Sequence, residues 1–248
     1  MEVNQSSTTE TDSPLEGKRA LVLGASRGIG AAIVRRLASD GADVTFTFAN
    51  AREAADTLAQ ETGSTPKQVD STNRDALIEA VASEGDLDIL VVSAGKAVWG
   101  DPLELDPDEV QGSFDLNINA VYFAIAEAGR RMKTGGRVVV IGSTSGQRVQ
   151  FGGQTAYAAA KAAVDGMARG FARDFGDREI TVNVVAPGPT DTEANPADSG
   201  QAEMLRQLMT IKRYGKPAEI AGAVSYLTGP EASFITGTTL MIDGGFGL

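Results

Sequence analysis

Between Lys18 and about Ile180, short apolar runs rich in β-branched residues alternate with longer stretches of helical period, and nothing else in the chain narrows its fold as much. Repeated βα units build a parallel sheet with helices packed on its faces. Strands are expected at 19–24, 43–48, 66–70, 87–92, 137–142, 180–185 and 240–242. After the first of them, Ile29, Ile33 and Leu37 recur at four-residue spacing and place an apolar stripe along one helix face. Asp106-Pro107-Asp108-Glu109 reads as a helix start: a cap, Pro at the first helical position, then acids that complement the helix dipole. No internal repeat and no shift in composition marks a second domain. The expectation is an α/β chain with one doubly wound domain over residues 15–248, about seven parallel strands and helices on both faces. Residues 1–14 read as a disordered lead-in.

Neither cysteine nor histidine occurs in the 248 residues. Disulfides, Cys or His metal sites, a thiol nucleophile and any triad with a His base are therefore excluded, and no metal is expected. Chemistry must come from hydroxyls, amines, carboxylates, amides or a borrowed cofactor. With 22 Lys and Arg against 33 Asp and Glu, the net charge is −11, which repels nucleic-acid polymers and anionic membranes at long range. No apolar run approaches the roughly eighteen residues of a membrane span. The first thirteen residues lack a basic stretch followed by an apolar one, so they do not read as a signal peptide, and a cytoplasmic protein is expected.

The first strand runs directly into Gly24-Ala-Ser-Arg-Gly28-Ile-Gly30 and then a helix. Glycines there permit a tight turn and close backbone approach, and the helix N-terminus offers unpaired N–H groups to a pyrophosphate. The same pattern also describes a plain turn that packs a helix on a strand. In dinucleotide folds an acid about twenty residues on holds the adenosine ribose. Phe48, Ala49 and Asn50 stand in that region, with Arg27 in the turn and Arg52 just beyond. Without the acid, and with arginines able to pair with a 2′-phosphate, the residues favour NADP(H) over NAD(H), unless both arginines are only solvated surface charges. Asp70, at the end of the third strand, is placed to accept from an adenine amino group or simply to form a turn.

Tyr157-Ala-Ala-Ala-Lys161 puts a phenol and an ammonium on one helical face. A free Tyr, with a pKa of about 10, is a poor base at neutral pH but a competent proton donor, and a neighbouring cation favours its phenolate. Such a pair serves acid/base chemistry on a carbonyl or alcohol when no His is present.

These segments stand in one order with Val92-Ser-Ala-Gly95, Asn117 within Asp115-Leu-Asn-Ile, Ile141-Gly-Ser-Thr-Ser-Gly146, Asn183-Val-Val-Ala-Pro-Gly-Pro-Thr-Asp-Thr192 and Ile235-Thr-Gly-Thr-Thr-Leu-Met-Ile-Asp-Gly-Gly245. Together they resemble the short-chain dehydrogenase/reductase family over nearly all of the chain after residue 15. The resemblance implies a Rossmann-type fold and hydride transfer between a nicotinamide and a carbonyl or hydroxyl carbon. It implies Tyr157 as general acid or base, Lys161 lowering the Tyr157 pKa and binding the nicotinamide ribose, Ser143 on the substrate oxygen, and Asn117 holding a proton-relay water. It implies a cofactor cradle of Gly24, Ser26, Arg27, Gly28, Ile29, Gly30, Asp70, Ser71, Ala94, Gly95, Tyr157, Lys161, Pro187, Gly188, Thr190 and Thr192. Ser145 competes with Ser143, which is preferred because it preserves the family's S-x-x-G pattern. Two departures stand out: Leu23 and Ser93 replace a usual Thr and Asn that knit the cofactor loops.

Further stretches, among them Asp191-Thr-Glu-Ala-Asn-Pro-Ala197 and Met209-Thr-Ile-Lys-Arg213, look like the subgroup of cyclic-di-GMP-binding biofilm dispersal mediators. That resemblance implies a second, binding function, for which Arg35-Arg36 or Arg169 and Arg173 are basic candidates unless they only form solvated ion pairs. The family's habit also implies a homotetramer through the helices near 107–132 and 153–175, and a lid at about 190–213 over a small carbonyl or alcohol substrate. Leu205, Leu208, Met209 and Ile211 of the lid, Trp99 and the 147–154 loop are expected walls.

Overall fold

The computed structural model describes residues 13–248. The expected lead-in lies outside the described residues except at its last two positions, and Leu15, already buried, ties the start of the body to the Asp40 carbonyl. Seven strands form one parallel sheet in the order β3-β2-β1-β4-β5-β6-β7. They are β1 (Arg19–Leu23), β2 (Asp43–Phe48), β3 (Thr65–Gln68), β4 (Leu87–Val92), β5 (Met132–Ile141), β6 (Thr181–Pro187) and β7 (Thr239–Ile242). All seven expected strands are present. The main departure is β5, which begins five residues early; its register against β4 breaks between Leu87 and Ile89, where Gly135 at φ +84° interrupts the strand.

The helices are α1 (Gly28–Ser39), α2 (Arg52–Thr62), α3 (Arg74–Ala82), α4 (Pro107–Phe114), α5 (Ala120–Arg131), α6 (Thr155–Phe175), α7 (Ala202–Leu208) and α8 (Pro217–Thr228). Helix α4 starts as its sequence dictates, with the Asp106 carboxylate accepting from the Asp108 N–H at 2.9 Å and Pro107 in the first turn.

Strand side chains alternate between two cores. Ala20, Val22, Ile89 and Val91 pack with Ile33 and Leu37 of α1, Leu58 of α2 and Ile220 of α8. Leu21, Leu23, Leu90 and Val92 pack on the other face with Leu77 of α3, Ile125 of α5 and Val164 of α6. The sheet is therefore covered on both sides, which is why its strands read as nearly continuous apolar runs. The strand order reverses between β1 and β4, so the loops that follow these two strands diverge and leave a crevice at the carboxyl ends of the strands.

Candidate active site

The loop after β1 is closed by contact with the loop after β4. Gly24 has φ +74°, and a Cβ there would stand 2.6 Å from the Cα of Ala94. Its N–H donates to Thr47 Oγ1 at 3.0 Å, and the Ala25 N–H donates to the Thr47 carbonyl at 2.8 Å. Thr47, fully buried in β2, thus takes over the knitting expected of a threonine at position 23, while the Ser93 N–H donates to the Leu23 carbonyl at 2.9 Å. Thr47 carries no motif signal in the sequence, since only the β1–β2 pairing brings it to the turn.

Helix α1 begins without a side-chain cap and without an acid in its first turn. Its first N–H groups therefore keep the dipole end open to an anion. Ser26, Gly28 and Ile29 are partly buried there, Gly30 packs on the Gly24 carbonyl, and Arg27 is exposed. The Arg27 guanidinium reaches Glu193 Oε2 at 3.2 Å, and a Cβ at Gly28 would stand 3.4 Å from Thr192 Cγ2. The segment after β6 therefore lies across the glycine turn. In that segment Pro187 ends β6, Thr190 Oγ1 donates to the Gly188 carbonyl at 3.0 Å, and Thr192 pairs with Asn195.

At the far edge, Asp70 takes the turn-forming role, accepting from the Thr72 N–H at 2.9 Å and its hydroxyl at 2.7 Å. Ser71 is buried beside a hollow of about 380 Å³ that also involves Arg74, Asn119 and Phe123 but neither Tyr157 nor Lys161. Arg52 lies over the Phe48 ring at 5.2 Å and donates to Gln68.

Beyond β5, Ser143 caps a short 3₁₀ turn, its hydroxyl accepting from the Ser145 N–H at 3.2 Å, and lies close enough to the Tyr157 phenol to pull its pKa downward. Ser145, beside it, is buried, whereas Ser143 is partly exposed. Lys161, one turn along α6, lies with Nζ 5.7 Å from the Tyr157 ring centroid and donates to the Ile141 carbonyl at 3.0 Å. Burial brings the Lys161 pKa down to about 8, against a smaller upward pull from Asp165. Burial likewise raises the Tyr157 pKa, and the nearby Ser143 hydroxyl only partly offsets it. The net direction for the phenol is set by desolvation, with Lys161 lying over the ring.

Asn117 lies in one turn of π-helix, Asp115–Asn119, between α4 and α5. Such turns re-aim a side chain within a helix. The Asn117 amide donates to the Lys96 carbonyl at 2.7 Å and the Ser113 carbonyl at 2.9 Å, while its buried Oδ1 has no partner. A Cβ at Gly95 would stand 2.9 Å from that oxygen and 3.4 Å from Lys161 Nζ, so Gly95 leaves both atoms facing one small polar space. An orphaned acceptor and an ammonium with spare protons fit a water or a sugar hydroxyl placed between them.

Of the basic candidates for a second site, Arg35 is paired with Glu61 at 2.7 Å and Arg36 with Asp40 at 2.9 Å. Arg169 and Arg173 make no ion pair among the described residues, contrary to the expected pairing with nearby acids. No group of His, Cys, Asp or Glu able to hold a metal occurs among the described residues, and no helix of the described chain is long and apolar enough to cross a membrane.

Residues 24–247 match the family model described as enoyl-(acyl carrier protein) reductase. The cyclic-di-GMP-binding biofilm dispersal mediator protein of Escherichia coli K12 is 57% identical over 231 residues, covering 93% of this chain and 98% of that one. The crystal structure of BdcA in complex with NADPH superposes with a TM-score of 0.93 at 56% identity, covering 94% of this chain and 96% of that one. A short chain dehydrogenase from Burkholderia cenocepacia J2315 in complex with NADP superposes with a TM-score of 0.92 at 44% identity, covering 95% of this chain and all of that one.

Proposed function

The chain belongs to the short-chain dehydrogenase/reductase family, and on that premise we propose that it is an NADP(H)-preferring oxidoreductase acting on a ketone, an aldehyde or the corresponding alcohol. The observation that carries this reading is the convergence of the Ser143 hydroxyl, the Tyr157 phenol, the Lys161 ammonium and the partnerless Asn117 oxygen at the carboxyl ends of the strands. When bound, the nicotinamide supplies or accepts the hydride. The glycine turn, the open N-terminus of α1 and Arg27 would hold its phosphates, with Ala94, Gly95, Pro187, Gly188, Thr190 and Thr192 flanking the remainder.

In reduction, Ser143 holds the substrate oxygen against Tyr157, which gives that oxygen its phenolic proton. A phenol whose pKa is raised by burial is fully protonated at neutral pH and so ready to donate. The Lys161 charge and the Ser143 hydroxyl then stabilise the phenolate left behind. A water between Asn117 Oδ1 and Lys161 Nζ would return the proton, and oxidation runs the same path backwards. We take the 190–213 segment, including α7, as the lid and assign the protein as a homotetramer.

A panel of ketones, aldehydes, diketones and imines, followed by NADPH and NADH absorbance with wild type and Tyr157→Phe, tests the reading. Turnover lost in Tyr157→Phe supports it; flat absorbance across the panel with both cofactors overturns it. A second reading, cyclic-di-GMP binding on the same fold, is favoured by the printed name of the 57% identical relative and by the ion-pair-free Arg169 and Arg173. Saturable calorimetric binding that is lost in the Arg169→Ala/Arg173→Ala variant is its test.

A further inference from the structure

Trp99, Phe151 and Tyr157 form a continuous aromatic shelf. The Trp99 and Phe151 rings stack with centroids 5.9 Å apart and planes 16° apart, and Trp99 contacts the Tyr157 ring at 5.4 Å and 35°. The loops that carry the first two rings are stapled together: the Gly100 N–H donates to the Gly153 carbonyl at 3.0 Å, and a Cβ at Gly153 would meet the Gly100 backbone at 3.4 Å. Phe151 is braced in turn by the buried cluster that includes Leu205, Met209 and Phe246. The shelf is therefore set before any ligand arrives, which removes an ordering cost from binding.

Trp99 nonetheless keeps 48% of its surface exposed. A large ring left half bare beside a proton donor gains from being covered, and an aromatic ligand gains stacking beyond area alone. Arg148 is engaged with the Gly247 carbonyl and Arg206 with Glu203, while Lys96, in the same loop as Trp99, is exposed. The shelf itself is uncharged, so stacking on it asks for a π face rather than a charge. Because Trp99 touches the Tyr157 ring directly, a ring stacked on Trp99 lies beside the phenol, which suits a carbonyl bonded to that ring.

We infer that the site takes a flat aromatic ketone, an aryl or fused-ring ketone whose ring covers Trp99 while its carbonyl meets Ser143 and Tyr157. The inference rests on the oxidoreductase reading of the same site.

The test compares 1-tetralone with 1-decalone, which shares its carbon skeleton but is not aromatic, by calorimetry on the protein saturated with NADP+, where no reduction occurs. Trp99 is the only tryptophan, so its fluorescence lifetime reports contact at this shelf alone. Tetralone should bind about three- to tenfold more tightly than decalone and shorten that lifetime saturably. Trp99→Leu should bring the affinity ratio to about one, and Trp99→Tyr should restore it. Equal affinities in wild type, an unchanged lifetime, or a preference that survives Trp99→Leu would overturn the shelf. Tetralone binding with no NADPH consumption by any ketone leaves the shelf standing and removes the oxidoreductase reading. NADPH consumption with no aromatic preference does the reverse.

Discussion

Lys161 donates to the Ile141 carbonyl at 3.0 Å from a side chain only 5% exposed, so a full charge is held inside the protein by a neutral partner. Its pKa stands near 8 in the fold against 10.5 in the unfolded chain. Below pH 8 the ammonium is charged in both states, and the whole desolvation cost, about 3 kcal/mol at 1.36 kcal/mol per pKa unit, weighs on the fold. Between pH 8 and 10.5 the unfolded chain binds more protons, so wild-type stability from this group rises with pH. Lys161→Met should therefore be the more stable protein at pH 7, by about 2 kcal/mol after the lost hydrogen bond is subtracted. The gap should close toward pH 10.5, as urea unfolding from pH 6 to 10.5 would show. A variant less stable than wild type at pH 7 contradicts this account.

In the proposed mechanism the Tyr157 phenol, with the Ser143 hydroxyl nearby, handles the proton. Reduction needs the phenol protonated and Lys161 charged, so its rate should fall as pH rises through about 8, the pKa of Lys161. Tyr157→Phe should lose roughly a thousandfold or more in kcat and Ser143→Ala about a hundredfold, with NADPH affinity nearly unchanged in both. Ser145→Ala should change kcat less than about threefold, since removing a hydroxyl that takes no part leaves the barrier alone. A larger loss for Ser145→Ala than for Ser143→Ala would reverse the choice of serine.

Arg27 and Glu193 meet at 3.2 Å with both side chains well exposed, so the pair itself adds little stability. Its consequence is for the cofactor: the guanidinium proposed for a 2′-phosphate already has a carboxylate beside it. Arg27→Ala should weaken NADPH about tenfold and NADH little, because only the former carries the extra phosphate. Glu193→Gln should tighten NADPH by about threefold and leave NADH unchanged, the removed charge being a repulsive neighbour. Fluorescence titration of both cofactors reads the outcome, and equal effects on the two would exclude Arg27 as the discriminating residue.

Much of this was legible in the sequence because it is local. Most of the strands announce themselves as apolar runs, the edge strand β3 being the polar exception, and the Asp106-Pro107 start of α4 is written in adjacent residues. The spacing of Tyr157 and Lys161 is fixed by one turn of α6. What the sequence hid depends on tertiary contact. Thr47 reaches the glycine turn only through the β1–β2 pairing, Glu193 meets Arg27 across 166 positions, and Phe151 joins Trp99 only through the Gly100–Gly153 staple. The burial of the Tyr157 phenol is hidden for the same reason, since the pattern shows a neighbouring charge but not the desolvation that raises the phenol's pKa. The π-turn that aims Asn117 has no spacing signal of its own.

Gly24 and Gly63 separate backbone strain from crowding. Both have left-handed backbones, φ +74° and +71°, but a Cβ at Gly63 meets nothing within 4 Å whereas one at Gly24 meets Ala94 at 2.6 Å. Gly63→Ala should therefore cost only the conformational strain, about 1 to 2 kcal/mol. Gly24→Ala should cost that plus about 1 to 3 kcal/mol of overpacking. Relief can come only by moving the Ala94–Gly95 loop, and Gly95 is what keeps Asn117 Oδ1 and Lys161 Nζ facing the same space. Gly24→Ala should accordingly weaken NADPH binding and lower kcat together, while Gly63→Ala changes neither. Thermal melts and cofactor titrations of the two variants side by side would show it, and equal behaviour would mean that the contact between the two loops does not organise the site.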